Sequence, residues 1–220
     1  VNTWPRPYQQ PHPPIWCPSQ GSTETIQWAA HPDRKYTYLQ TYSAFASVLR
    51  YLNMYRDVAH NMYGYEASSE QIAWCTPAYV AETDQQAIDE ARPHIEMMFN
   101  TLLPKISQSM FVPPGYMSAA SMKQIFAHKP TLRGGQTIED MIERGVIAVG
   151  SPDTVRDILT ERHRQAGFDH LLLMPQFGTL PADLSEKNIC LLATEVVPAL
   201  KALGESDYIG FEPAAAAAAE

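Results

Sequence analysis

Cysteine is scarce in this chain. The three that 220 residues contain, Cys17, Cys75 and Cys190, lie far apart, are odd in number and form no C-x-x-C pair. That pattern excludes a disulfide framework and a zinc knuckle, and it suits a reducing cytoplasm. Long apolar runs are missing too: none reaches the roughly 18 to 20 residues a bilayer crossing needs, and no charged-then-apolar leader is present, so neither a spanning helix nor a signal peptide is expected. Basic residues are few, 16 Lys and Arg against 24 Asp and Glu, for a net charge of -8. A phosphate-backbone partner is thereby disfavoured, because nucleic-acid binders carry a basic face. The seven histidines lack ligand spacing, with His60, His94, His128, His163 and His170 isolated, so no metal is expected. No Ser-His-Asp or paired-carboxylate spacing singles out a catalytic residue.

What is present is enough hydrophobic content, 45%, to bury a sizeable core, laid out as strand-then-helix units. Ile15-Trp16-Cys17 reads as a short buried strand. Ser22 or Thr23 caps the helix that follows, with Glu24 at the positive end of its dipole and Ile26, Ala29 and Ala30 inward. Tyr36 to Gln40 is a second strand, and from Ser43 a long helix carries Val48, Leu49, Leu52, Tyr55 and Ala59 at three-and-four spacing until Gly64. Gln71 to Val80 is a third strand, followed by a helix that Thr83 or Asp84 caps and that Pro93 should bend or interrupt.

From Pro104 to Gly145 the pattern breaks into prolines, glycines and short amphipathic pieces, an insertion of the kind that forms a lid. Order returns at Ile147-Ala148-Val149. A helix opens at Gly150-Ser151-Pro152-Asp153, His170 to Met174 forms a fourth strand, and a helix from about Ser185 to Leu203 completes the fourth unit. Four such units imply a parallel sheet, and because an eight-unit barrel takes about 250 residues, the economical reading is half of a (β/α)8 TIM-type barrel, with an open sheet as the alternative. Residues 1–204 would be its C-terminal part, with the insertion at about 104–145. Residues 205–220, ending in Pro213, six alanines and Glu220, read as a tail.

One turn stands out chemically. Gly21, Ser22 and Thr25 sit where a strand ends and a helix begins, so unpaired N–H groups, a positive dipole end and two hydroxyls could receive a phosphate. Ser22 and Thr25 would more often be simple helix caps, and Ser151 with Thr154 forms a comparable start read as capping alone.

Trp4 to Trp16, followed by Gly21 to Ala30, resembles bacterial luciferase-like flavin monooxygenases, and the likeness continues in Gly150 to Val155, Gly167 to Leu173 and Gln176-Phe177-Gly178. The resemblance implies a barrel whose first four strands lie upstream of Val1, together with any catalytic residues. It implies reduced FMN from a separate flavin reductase, with O2 and a small organic substrate. Gly21, Ser22 and Thr25 would grip the flavin phosphate, while Met174 and Phe177, at the carboxyl end of the last strand, could face the substrate. Within the same superfamily the alternative is F420-dependent hydride transfer, and from a different class, a non-catalytic partner subunit. A half barrel leaves two unpaired sheet edges, so a homo-oligomer is expected.

Overall fold

The computed structural model describes residues 4–106, 115, 118–128, 135–204 and 207–211. Its framework is a parallel sheet built from β1 (Trp16–Ser19), β2 (Thr37–Thr41), β3 (Ile72–Val80), β4 (Ala148–Gly150) and β5 (His170–Met174). β1 pairs with β2 and β2 with β3, each in parallel, and β5 pairs with β3 through Ala73–Pro77. Each strand is reached from the last through a helix, which is the connection a parallel pair requires. The helices are α1 (Thr23–Ala30), α2 (Phe45–Asp57), α3 (Asp84–Met97), α4 (Ala119–His128), α5 (Ile138–Glu143), α6 (Pro152–Ala166) and α7 (Ala182–Leu191).

Four of these strands are the predicted ones, and β4 is an addition. It pairs with Ala78–Val80, the last three residues of β3, beyond the stretch that β5 occupies. Ala148–Gly150 is therefore a short strand lying beside the carboxyl end of β3.

Alternation along the strands decides which face the helices cover. Cys17, Tyr38, Ile72, Trp74, Ala78 and Val80 join Ile26, Val48, Leu52, Tyr55 and Leu159 in one buried cluster, so this face lies beneath α1, α2 and α6. A second cluster joins Tyr79, Ala87, Ala91, Ile95 and Phe99 to Val149 and Phe177 at the carboxyl end of the sheet. The opposite face is barer, with Pro18 exposed and Leu172 at 36%. Across it the rings of Trp16 and His170, on strands that are not hydrogen-bonded to each other, lie 4.7 Å apart. The sheet thus curls toward closure as a partial barrel does.

Two expectations change. Pro93 does not interrupt its helix, because it sits on the exposed side, where water replaces the one missing N–H, and α3 continues into a π-helical turn at Met98–Leu102. The expected tail is packed in part: the Ile209 amide donates to the Arg164 carbonyl at 2.9 Å, and the Arg56 guanidinium lies 5.0 Å from the Tyr208 ring. The polyalanine run lies outside the described residues. Among those described, no helix is long and apolar enough to cross a membrane.

Candidate functional site

Because the strands are parallel, the carboxyl ends of β1, β2, β3 and β5 open on one edge of the sheet, where barrel enzymes assemble their chemistry. Gly21 and Ser22 lie there, in the turn from β1 into α1. Gly21 adopts φ +101°, and a Cβ at this position would overlap the ring of Tyr51, so only glycine lets the chain turn this tightly against α2. Ser22 is the N-cap of α1, with extended backbone, and its Oγ accepts from the Thr25 amide at 3.2 Å. The Ser22 and Thr25 hydroxyl oxygens are 3.1 Å apart. All three predicted phosphate contacts are thereby gathered into one turn.

An anion already stands at this helix start: the side chain of Glu24. Ser22 Oγ donates to Glu24 Oε2 at 3.0 Å, Ser121 Oγ donates to the same oxygen at 2.8 Å, and the Ser118 amide donates to Oε1 at 3.1 Å. Hydrogen bonds from Ser118, from its own backbone and from Ser121 hold the carboxyl down to about 2, so it is ionised at neutral pH. Sequence reasoning placed Glu24 at the dipole but had no signal for Ser118 and Ser121, more than ninety residues away.

The comparable start at Ser151 is filled in a similar manner. Ser151 Oγ and Thr154 Oγ1 are again 3.1 Å apart, and the Ser151 amide donates to Asp84 Oδ1 at 2.6 Å. The Asp84 carboxyl is lowered, chiefly by that backbone donor. Its anion is supplied by α3, a fixed part of the frame, which agrees with reading this second turn as structural.

Met174 and Phe177 reach different surroundings. Met174, the last residue of β5, is partly buried beside the second cluster, and the Tyr42 hydroxyl donates to its sulfur at 3.6 Å. Phe177 is 2% exposed, with its ring edge-on to Tyr79, and supports this end of the sheet from within the core. Tyr42 went unnoticed in the sequence. It follows the last residue of β2 with φ +47°, an unusual conformation for a residue with a Cβ, and burial raises its hydroxyl pKa, with Cys75 adding to the effect. The loop after β1 also reaches β2, where Gln20 Nε2 donates to Thr41 Oγ1 at 3.2 Å. Trp16 lies at the start of β1, at the other end of the strand from Ser22, so it belongs to the packing against His170.

No curated protein matches the chain in sequence. Solved structures share its fold. The monooxygenase RslO1 from Streptomyces bottropensis superposes with a TM-score of 0.61 at 20% identity, over 89% of this chain and 50% of its own. The oxygenating constituent of 3,6-diketocamphane monooxygenase from Pseudomonas putida, solved with FMN, gives 0.54 at 17%, over 84% and 48%. The coenzyme F420 dependent tetrahydromethanopterin reductase from Methanopyrus kandleri gives 0.52 at 17%, over 84% and 50%. The chain therefore spans about half the length of each. The sequence pattern of luciferase-like monooxygenases matches residues 1–170, which take in the turn at Ser22 and all of the sheet up to the start of β5. With the parallel sheet of a partial barrel and family character running through most of its length, the chain belongs to the luciferase-like monooxygenase family.

Proposed function

We propose that this chain carries the phosphate end of the cofactor site in a reduced-flavin-dependent monooxygenase, which inserts one oxygen atom from O2 into a small organic substrate using FMN reduced by a separate reductase. The observation that carries this reading is the Gly21–Ser22–Thr25 turn. It offers a helix N-terminus and paired hydroxyls at the carboxyl edge of the sheet, and its Ser22 hydroxyl donates to an anion there, the Glu24 carboxylate, whose side chain belongs to α1 itself. Those donors suit FMN. Bound there, the flavin would supply the redox chemistry, and this chain would anchor the phosphate through Ser22 and Thr25. Met174 and Tyr42 would border the substrate at the same edge, with Phe177 fixing that border from behind.

F420 is the second reading, since it also carries a phosphate and the reductase from Methanopyrus kandleri shares the fold at a comparable TM-score. Titration of the chain with FMN and with F420, followed by flavin fluorescence, tests the choice. Saturable FMN binding that Ser22→Ala weakens supports the first reading, and saturation by F420 alone moves the assignment to hydride transfer. Absence of binding by either would favour a partner subunit without chemistry of its own. The barer sheet face, with Leu172 and Pro18 open, suits association into a homo-oligomer, and the reading carries with it a cytoplasmic setting.

A further inference from the structure

The carboxylate at the phosphate turn belongs to two helices at once. On one side Glu24 is the second residue of α1 and accepts from Ser22 Oγ. On the other it accepts from the Ser121 hydroxyl and the Ser118 amide, at the start of α4. Ser118 Oγ in turn accepts from the Ser121 amide at 3.2 Å, so the residue that caps α4 is tied to the same carboxylate. Two helix N-termini, each with a partial positive charge, converge on one ionised acid. α4 lies in the 104–145 insertion, far from α1 in sequence, and these bonds join the two.

We infer that Glu24 is a latch: it holds α4 against the phosphate turn by occupying the Ser22 hydroxyl a phosphate would use, so that phosphate binding and docking of α4 exclude one another. The inference rests on reading Gly21, Ser22 and Thr25 as the phosphate turn. Ser22 has a single hydroxyl proton, which it gives either to Glu24 or to an incoming phosphate oxygen. An ionised Glu24 beside a phosphate dianion adds like-charge repulsion, relieved when the carboxylate swings out and takes Ser118 and Ser121 with it. Linkage makes the effect reciprocal: whatever factor α4 docking takes from phosphate affinity, phosphate takes from α4 docking. The insertion is thereby coupled to the state of the cofactor site.

Hydrogen–deuterium exchange of the full chain reads the latch directly at the amides of residues 118–128, and fluorescence titration reads the turn, with inorganic phosphate and FMN as probes. Glu24→Ala and Ser121→Ala should each speed exchange across 118–128 by about tenfold, the loss of one to two net hydrogen bonds. Phosphate or FMN should speed it similarly in the unaltered chain and add little in Glu24→Ala. Ser121→Ala, which leaves Ser22 and Thr25 intact, should bind FMN more tightly. Exchange unchanged in both variants overturns the latch, and so does FMN binding that leaves exchange at 118–128 unaltered. If both variants exchange faster but neither probe binds any form, the coupling and the phosphate reading fall together while the α1–α4 clasp stands. If FMN binds and both variants exchange as the unaltered chain does, the phosphate reading survives and the latch is refuted.

Discussion

A Cβ on Gly21 would overlap the ring of Tyr51, so the turn into α1 closes against α2 with no room for a side chain. Gly21→Ala meets both this overlap and a φ of +101°, so it should destabilise the chain by roughly 1 to 3 kcal/mol and displace Ser22. Tyr51→Phe is its control. The Tyr51 hydroxyl is buried without a hydrogen-bond partner among the described residues, and its removal should leave stability unchanged or raise it by roughly 1 kcal/mol. Thermal unfolding of both variants checks the pair, and a stable Gly21→Ala would mean that α2 yields at this contact.

Ser22→Ala removes a cap and, on the proposed reading of the turn, a phosphate donor. Stability should fall by about 1 kcal/mol through the lost bond from the Thr25 amide. FMN affinity should fall further, by roughly 1.5 to 3 kcal/mol, since a hydrogen bond to a charged phosphate is worth more than a cap. Calorimetric titration measures the second effect, and unchanged affinity would count against the turn as the phosphate site.

Asn188 binds α7 to the sheet edge from a fully buried position. Its Oδ1 accepts from the Val80 amide at 2.8 Å, and its Nδ2 donates to the carbonyls of Ala78 and Pro175, each at 2.8 Å. Asn188→Leu would leave an N–H and two C=O groups buried and unpaired, at a cost of about 3 kcal/mol or more. A large fall in Tm is expected, and denaturant unfolding would quantify it.

Acid should loosen the chain through two carboxyls. Glu24 and Glu139 are both held down to about 2, the first chiefly by Ser118 and the second chiefly by the Arg92 guanidinium. A carboxyl whose folded value lies below its ordinary 4.5 contributes stability above that value and loses it as pH falls from 4.5 toward 2. Tm should therefore fall between pH 5 and pH 3, and Glu139→Gln should flatten part of that fall. Both groups are open to solvent, so the contribution of each is small.

Association should follow from the barer sheet face, where Leu172 stands 36% exposed beside the Trp16–His170 contact. Sedimentation velocity should show a concentration-dependent oligomer, and Leu172→Glu should shift it toward monomer. A monomer at every concentration would contradict the expectation.

Several elements were legible because local chemistry alone specifies them. Thr83 and Ser151 cap their helices through the usual hydroxyl-to-amide bonds, and Gly167 closes α6 in the left-handed conformation. The three-and-four spacing of Val48, Leu52 and Tyr55 fixed which face of α2 is buried. Pro93 does not interrupt its helix for a physical reason: a proline's effect depends on whether the orphaned carbonyl faces water, and that is settled by packing. β4 was not identified as a strand, because three residues carry too short a pattern to mark one.

Within the sequence itself lay the unit order, the parallel sheet and the capped turn at Gly21 and Ser22, since caps, glycine turns and apolar periods act over a few residues. Tertiary structure decided what meets those units. It curled the sheet until Trp16 reached His170, buried Phe177 while leaving Met174 beside Tyr42, and drew Ser118 and Ser121 onto Glu24. Contacts between residues ninety or more apart depend on how whole elements pack, and no local pattern in one segment encodes the position of another.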